Sequence, residues 1–275
     1  MRSKLVIITG ASDGIGAAAA KRLVTDGHHV VIVGRSPEKT SAVARALGTD
    51  YYLADFTKMQ EVSVLAAELL KKYPRIDVLA NNAGGVFARR RCVTQDGHEM
   101  TFQVNYLAGF LLTTRLLSRL VDSRGTVIFT SSDANRFGNI DIRDLESERE
   151  YSVDKTYSVT KLEQILFTRE LHRRYGGQGL TAVAFHPGMI ASSLFRQPGT
   201  VFGWLYRIPL ARLWTSSPEK GADTLVFLAE GTQGVDFPAG EYFAKRKVAK
   251  PNKQANNPVL ARELWNLSEL MIEHI

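Results

Sequence analysis

The chain has 275 residues, 44% of them hydrophobic, which allows a substantial core and excludes a disordered polypeptide. Its one cysteine, Cys92, excludes an internal disulfide and fits a reducing cytosol. Thirty-five Lys and Arg against 28 Asp and Glu give a formal charge of +7, a balance that suits a nucleic acid, a membrane surface or an anionic cofactor. The cofactor is favoured. The densest basic groups, Arg89–Arg91 and Lys245–Lys247, lack interleaved aromatics and are expected in solvated loops, so nucleic acid is not an expected partner.

The first residues, MRSKLVIITG, enter a strand-like apolar run almost at once, so neither signal peptide nor membrane anchor is expected there. No apolar stretch approaches the roughly 18 residues that span a bilayer, and a cytoplasmic location is the expectation. Short β-branched runs then alternate with helical patterns: LVIIT (5–9), VVIV (30–33), YYLA (51–54), IDVLA (76–80), TVIFT (126–130) and LTAVAF (180–185). Strands buried on both faces have this composition, and their alternation with helices predicts one α/β domain over 1–275, a doubly wound parallel sheet. Two segments break the rhythm and read as loops over a site: Asn135–Glu150, polar and charged, and Gln197–Trp214, which carries Pro198, Gly199 and VFGWLYRIPLARLW. Beyond them the pattern predicts a helix from Pro218 to about Glu230, a short strand near Glu241–Phe243, and a last amphipathic helix opened by Pro258.

The first strand ends in TGASDGIG, with Gly10, Gly14 and Gly16 ahead of a helix. Glycines permit a tight turn and close backbone approach, and a helix N-terminus offers unpaired amides to phosphate, so the segment suits a pyrophosphate, although an ordinary strand-to-helix turn has the same look. At the end of the second strand stand Gly34 and Arg35, where an NAD site would usually hold a carboxylate. Arg35 suits a ribose 2′-phosphate, so NADP(H) is preferred and NAD(H) is the alternative, although Arg35 can equally be a plain surface cation. Further on, Tyr157 and Lys161 in YSVTK lie four residues apart and share a helix face. A cation about 4 Å from a phenol favours phenolate by roughly 4 kcal/mol at an effective dielectric of about 20, although such a pair on a helix often only packs. No His, Cys or carboxylate group has metal-ligand spacing, so no metal is expected.

Taken together, TGASDGIG, NNAG (Asn81–Gly84), Asn105 in FQVNYLAG, TSS (Thr130–Ser132), YSVTK and HPG (His186–Gly188) resemble the short-chain dehydrogenase/reductase family in order and spacing. KLEQILFTREL, GEYF and NNPVLARELW look most like its retinol dehydrogenase and WW-domain oxidoreductase branch. The resemblance implies a Rossmann fold and hydride transfer between NADP(H) and a small lipophilic carbonyl or alcohol substrate. It implies Tyr157 as acid/base, Lys161 as its partner and ribose ligand, Ser132 (preferred to Ser131 by position) polarising the substrate oxygen, and Asn105 anchoring a proton-relay water. It also places Gly10, Ser12, Ile15, Asp55, Asn81, Ala83 and Gly84 beside the cofactor, and Pro187, Gly188 and Ser192 near the nicotinamide. An epimerase or dehydratase of the extended branch, and a cofactor-binding regulatory protein without turnover, are the alternatives.

Several of these residues have plainer uses. Asn81–Gly84 can cap and turn the fourth strand, Asp55 can cap a helix, Ser131 and Ser132 can satisfy a strand end, and His186 reads as structural. Ser132 and Tyr157 are 25 residues apart, about twice the family's usual spacing, so Asn135–Glu150 must loop out if the serine is to serve. Family members often pair through helices that here span roughly Phe102–Leu120 and Thr156–Tyr175, which implies a homodimer or homotetramer. Gln197–Trp214 is expected to act as a substrate lid, with a membrane-interface anchor as the competing reading.

Overall fold

Leu5–Thr9 (β1), His29–Gly34 (β2), Asp50–Leu53 (β3), Val78–Asn81 (β4), Thr126–Thr130 (β5), Thr181–His186 (β6), Tyr242–Ala244 (β7) and Lys247–Val248 (β8) are the strands of the computed structural model, which describes residues 2–87, 89–188 and 216–275. They form one sheet in the order β3-β2-β1-β4-β5-β6-β7-β8. Every neighbouring pair is parallel except β7 with β8. Val6, Ile7, Ile8, Val127 and Ile128 are wholly buried, as strands covered on both faces require.

One face of the sheet carries α1 (Gly14–Thr25), α2 (Pro37–Leu47) and α8 (Pro218–Glu230), with Ala19, Leu23, Ala44 and Leu225 in its core. The other carries α3 (Met59–Lys72), α5 (Ala108–Arg115), α7 (Val153–Tyr175) and α9 (Pro258–Met271), with Leu65, Phe110, Phe167 and Trp265 in its core. Local chemistry sets the helix starts: Ser36, Ser217 and Asn257 accept amide hydrogens of the first turn ahead of Pro37, Pro218 and Pro258. The strand order reverses between β1 and β4, which opens a crevice at their C-terminal ends.

The Phe102–Leu120 region winds in pieces: α4 (Met100–Phe102), a π turn over Gln103–Leu107, α5, and α6 (Leu117–Asp122). Part of the surface of α5 and α7, the helices expected to pair between copies, is covered within the chain by α9, while Arg115 and Ser118 stay exposed. Trp265 of α9 stacks on Phe167 at 5.3 Å and packs edge-on to Phe110 at 5.2 Å, while Tyr106 in the π turn bonds Ser268.

Asn135–Glu150 does not stand over the crevice as expected but lies back along the protein, with Ile140 and Leu145 buried. Asn252 donates to the carbonyls of Arg136 and Gly138, and Gln254 both donates to and accepts from Ile140. Glu146 accepts from the Glu99 amide and pairs with His98, and Arg91 donates to the Glu146 carbonyl. Arg91 is therefore no solvated cation, and Arg246 likewise pairs with Asp223. Gln197–Trp214, expected as a lid, lies outside the described residues.

Glu163 of α7 is wholly buried and neither carboxyl oxygen has a hydrogen-bond partner. Burial, reinforced by the Glu99 and Glu146 carboxylates, pushes its carboxyl well above the ordinary 4.5, so it is held protonated. Above pH 4.5 the unfolded chain releases this proton and the folded one keeps it, so this group costs stability as the pH rises. Glu163→Leu is therefore expected to gain about 1–3 kcal/mol. The gain should be larger at pH 8 than at pH 5, read by denaturant unfolding; a loss at both pH values would contradict it.

Candidate active site

The crevice holds a cavity of about 550 Å³ that runs from the β1–α1 turn, past the end of β2, to the end of β5 and the start of α7. At its floor, Gly10 adopts φ +64°, and a Cβ there would lie 2.8 Å from the Ala83 Cα, so only glycine lets the two backbones meet. Ser12, Gly14 and Ile15 line the same wall, and Asp13 caps α1 by accepting from the Gly14 amide. Gly16 does not line the cavity; a Cβ on it would meet the Gly10 carbonyl oxygen, so its role is packing of the turn.

Asn81 and Asn82 divide as neighbours at a strand end must, one to each face. Asn81 donates to Thr113 of α5, and its side chain lies buried outside the lining of the cavity, not beside the cofactor as expected. Asn82, which sequence reasoning passed over, lines the cavity, donates to the Thr9 and Gly10 carbonyls and accepts from the Thr130 hydroxyl. It joins the ends of β1, β4 and β5 beside Ala83 and Gly84. Asp55 also lines the cavity; its carboxylate accepts from the Thr57 amide and hydroxyl, and the residue before α3 is Lys58, so Asp55 is not that helix's cap.

Arg35 lines the cavity where β2 ends, together with Ser36 and Lys39 at the start of α2. Lys39 lies 3.8 Å from Asp13, an exposed and weak pairing. Ser36 and Lys39 carried no sequence signal of their own. Only the capping turn of α2 brings them beside Arg35.

At the other end lie Ser132, Tyr157, Lys161, Pro187 and Gly188. Tyr157 and Lys161 are each only 4% exposed, and the Lys161 Nζ stands 5.4 Å from the Tyr157 ring centroid. Lys161 donates to the Thr130 carbonyl (2.9 Å) and to the Gln164 Oε1 (3.3 Å), and burial pushes its ammonium down to about 7. The two serines separate cleanly. Ser131 spends its hydrogen on the Lys161 carbonyl at 2.7 Å, whereas the Ser132 Oγ accepts from the Ala134 amide and keeps its own hydrogen to donate. Neighbours hold this turn: Asn135 donates to the Ser132 carbonyl, and the His186 Nδ1 accepts from the Asp133 amide. Burial lowers the His186 pKa, which keeps that acceptor unprotonated.

Asn105 lies behind the cavity wall. Its Oδ1 accepts from the Gly85 amide, its Nδ2 donates to the Gly85 carbonyl and Thr160, and its own carbonyl accepts from the Gln164 Nε2. Ser192 lies outside the described residues. The insertion does not part Ser132 from Tyr157: both line this cavity, and no residue of Asn135–Glu150 does. Among the described residues no group of His, Cys, Asp and Glu could hold a metal ion, and no helix is long and apolar enough to cross a membrane.

This chain belongs to the short-chain dehydrogenase family, whose model matches residues 4–199. It is 41% identical over 273 residues to a protein of Streptomyces sp. (strain C5) provisionally named daunorubicin C-13 ketoreductase DnrU, covering 96% of this chain and 91% of the relative. It is 36% identical over 294 residues to retinol dehydrogenase 14 of Mus musculus, covering 99% and 86%. A crystal structure of an uncharacterised protein from Mycobacterium paratuberculosis matches with a TM-score of 0.77 at 29% identity, over 98% of this chain and 93% of that one. The relatives are oxidoreductases of alcohol and carbonyl groups, and the family uses NAD(H) or NADP(H).

Proposed function

We propose that the protein transfers hydride between NADP(H) and a small lipophilic carbonyl or alcohol, with Tyr157 as acid/base. The observation that carries this reading is the buried Tyr157–Lys161 pair, which shares one cavity with the Ser132 hydroxyl and the Gly10 cradle.

The cavity suits a dinucleotide. The bare backbone at Gly10 and the start of α1 would hold the pyrophosphate, Asp55 the adenine end, and Lys161 the nicotinamide ribose. Arg35, Ser36 and Lys39 offer two cations and a hydroxyl to a ribose 2′-phosphate, which supports NADP(H) over NAD(H). When bound, the nicotinamide supplies or takes up the hydride. In reduction the Tyr157 hydroxyl gives its proton to the substrate oxygen while the Ser132 hydroxyl donates a hydrogen bond to the same atom. The phenolate left on Tyr157 is stabilised by the Lys161 ammonium, and in oxidation the proton moves back. Burial of the pair keeps water from the proton path. Tyr157 packs with Val86 and Ala134 in a small apolar cluster, which supports an apolar substrate face, as do relatives named for retinol and for a daunorubicin ketone.

A panel of aldehydes and ketones of graded apolarity, with NADPH oxidation followed by absorbance, tests the reading. Turnover should rise with the apolar surface of the substrate. Absence of turnover with either nicotinamide cofactor, by folded protein, would reject it. Arg35→Asp should weaken NADP(H) binding by about ten- to a hundredfold and shift the preference toward NAD(H), read by cofactor titration. Equal affinity of the wild type for both cofactors would remove the 2′-phosphate argument.

A further inference from the structure

We propose that Gln164 is a positioning residue for the reaction: its side-chain amide is a strut that ties the Lys161 ammonium to the backbone of the π turn at Asn105. The inference rests on Tyr157 and Lys161 serving as proposed above.

Gln164 is one helical turn beyond Lys161 on α7 and is 1% exposed. Its Oε1 accepts from the Lys161 Nζ at 3.3 Å, and its Nε2 donates to the Asn105 carbonyl at 2.6 Å. Which end of the amide faces which neighbour is fixed by chemistry. An ammonium only donates and a carbonyl oxygen only accepts, so the opposite orientation would set donor against donor and acceptor against acceptor. Both ends are thus committed, and a buried group with both ends committed holds its neighbours in place.

The other half of the strut comes from the π turn over Gln103–Leu107. A π turn shifts the backbone ladder by one residue, and here the Asn105 carbonyl is taken by a side chain from α7. The Asn105 side chain is engaged too, clasping Gly85 and Thr160, so the anchor point is rigid. The sequence resemblance assigns Asn105 the holding of a relay water. In the structure the Asn105 carbonyl accepts from Gln164, which bridges it to Lys161.

Without the strut, Lys161 keeps one acceptor, the Thr130 carbonyl. Among the described residues no charged group compensates its burial. Tyr157 is the titratable side chain beside it on α7, and burial alone accounts for its lowered pKa. An acceptor at this point favours the ammonium, and its loss lets the amine deprotonate at lower pH. Activity that needs the ammonium falls as pH rises through the Lys161 pKa, so the position of that fall reports on the strut.

The test is the pH dependence of kcat for the full chain, with cofactor affinity measured by titration and folding by melting. Gln164→Met keeps the volume and removes both bonds. It should move the alkaline fall down by about one pH unit or more and lower kcat at pH 7 several-fold. Gln164→Glu restores an oxygen acceptor beside Lys161, and its fall should lie at or above the wild-type position. The proposal is overturned if the Gln164→Met profile superimposes on wild type, or if the Gln164→Glu fall moves down with that of Gln164→Met. Should Gln164→Met fail to melt cooperatively, the Gln164→Glu profile decides alone. An active Tyr157→Phe protein would instead reject the underlying reading, whatever the Gln164 variants do.

Discussion

Tyr157→Phe is expected to reduce kcat by at least a hundredfold while leaving NADPH affinity within about twofold, because it deletes the transferable proton and keeps the ring. Tyr157 is nearly buried in an apolar cluster with Val86 and Ala134, so phenylalanine fills the same space and the fold should not notice. The Lys161 hydrogen bonds run to Thr130 and Gln164, not through the tyrosine hydroxyl, so the ammonium keeps its place when that hydroxyl is gone. The loss should therefore fall on the chemical step alone. A steady-state assay on the best substrate of the panel, paired with a cofactor titration, separates the two quantities. Residual kcat above a tenth of wild type would reject Tyr157 as acid/base and leave Ser132 and Lys161 without their central partner. A matching loss of cofactor affinity would instead point to a holding role.

The strands and the start of each turn were legible because they depend on short-range chemistry. The β-branched runs at 5–9, 30–33, 126–130 and 180–185 can bury both faces only in a covered parallel sheet, and each forms within a residue of its expected bounds. Pro218 and Pro258, preceded by Ser217 and Asn257, start helices as their fixed φ and the capping side chains dictate. Tyr157, Lys161 and Ser132 were legible as a set, and the structure brings them to one cavity.

What escaped depends on register or on distant partners. Asn81 and Asn82 are chemically identical, and only the pleat of β4 decides which one faces the crevice. Gln164 looked like any polar residue on a helix, since the π turn that offers it the Asn105 carbonyl has no composition of its own. The polar composition of Asn135–Glu150 predicts a loop over the site, not a segment folded back along the protein. Its polar groups are spent on Asn252 and Gln254, more than a hundred residues along the chain, and on Glu99.

The same long-range blindness applies to α9 and yields the largest stability effect. Trp265 is 1% exposed and sits at the centre of an aromatic cluster. It is stacked on Phe167 with an interplanar angle of 22°, set edge-on to Phe110 at 72°, and covered by the Arg174 guanidinium at 4.4 Å. Trp265→Ala is expected to cost about 3–5 kcal/mol, since a buried indole is lost and α5, α7 and α9 cannot all move in to fill the space. The Trp265 Nε1 has no hydrogen-bond partner, so Trp265→Phe gives up area but no polar contact and should cost much less. Denaturant unfolding of both variants tests this; a Trp265→Ala cost below 1 kcal/mol would mean that α9 is not a structural part of the helical layer. The packing also bears on assembly. With Trp265 of α9 over Phe110 of α5 and Phe167 of α7, that part of the two helices is covered within the chain, and Trp265→Ala, which loosens the cover, should shift toward larger species than wild type on sizing chromatography. Elution of wild type as a stable dimer that Trp265→Ala leaves intact would place the contact on some other surface of the molecule.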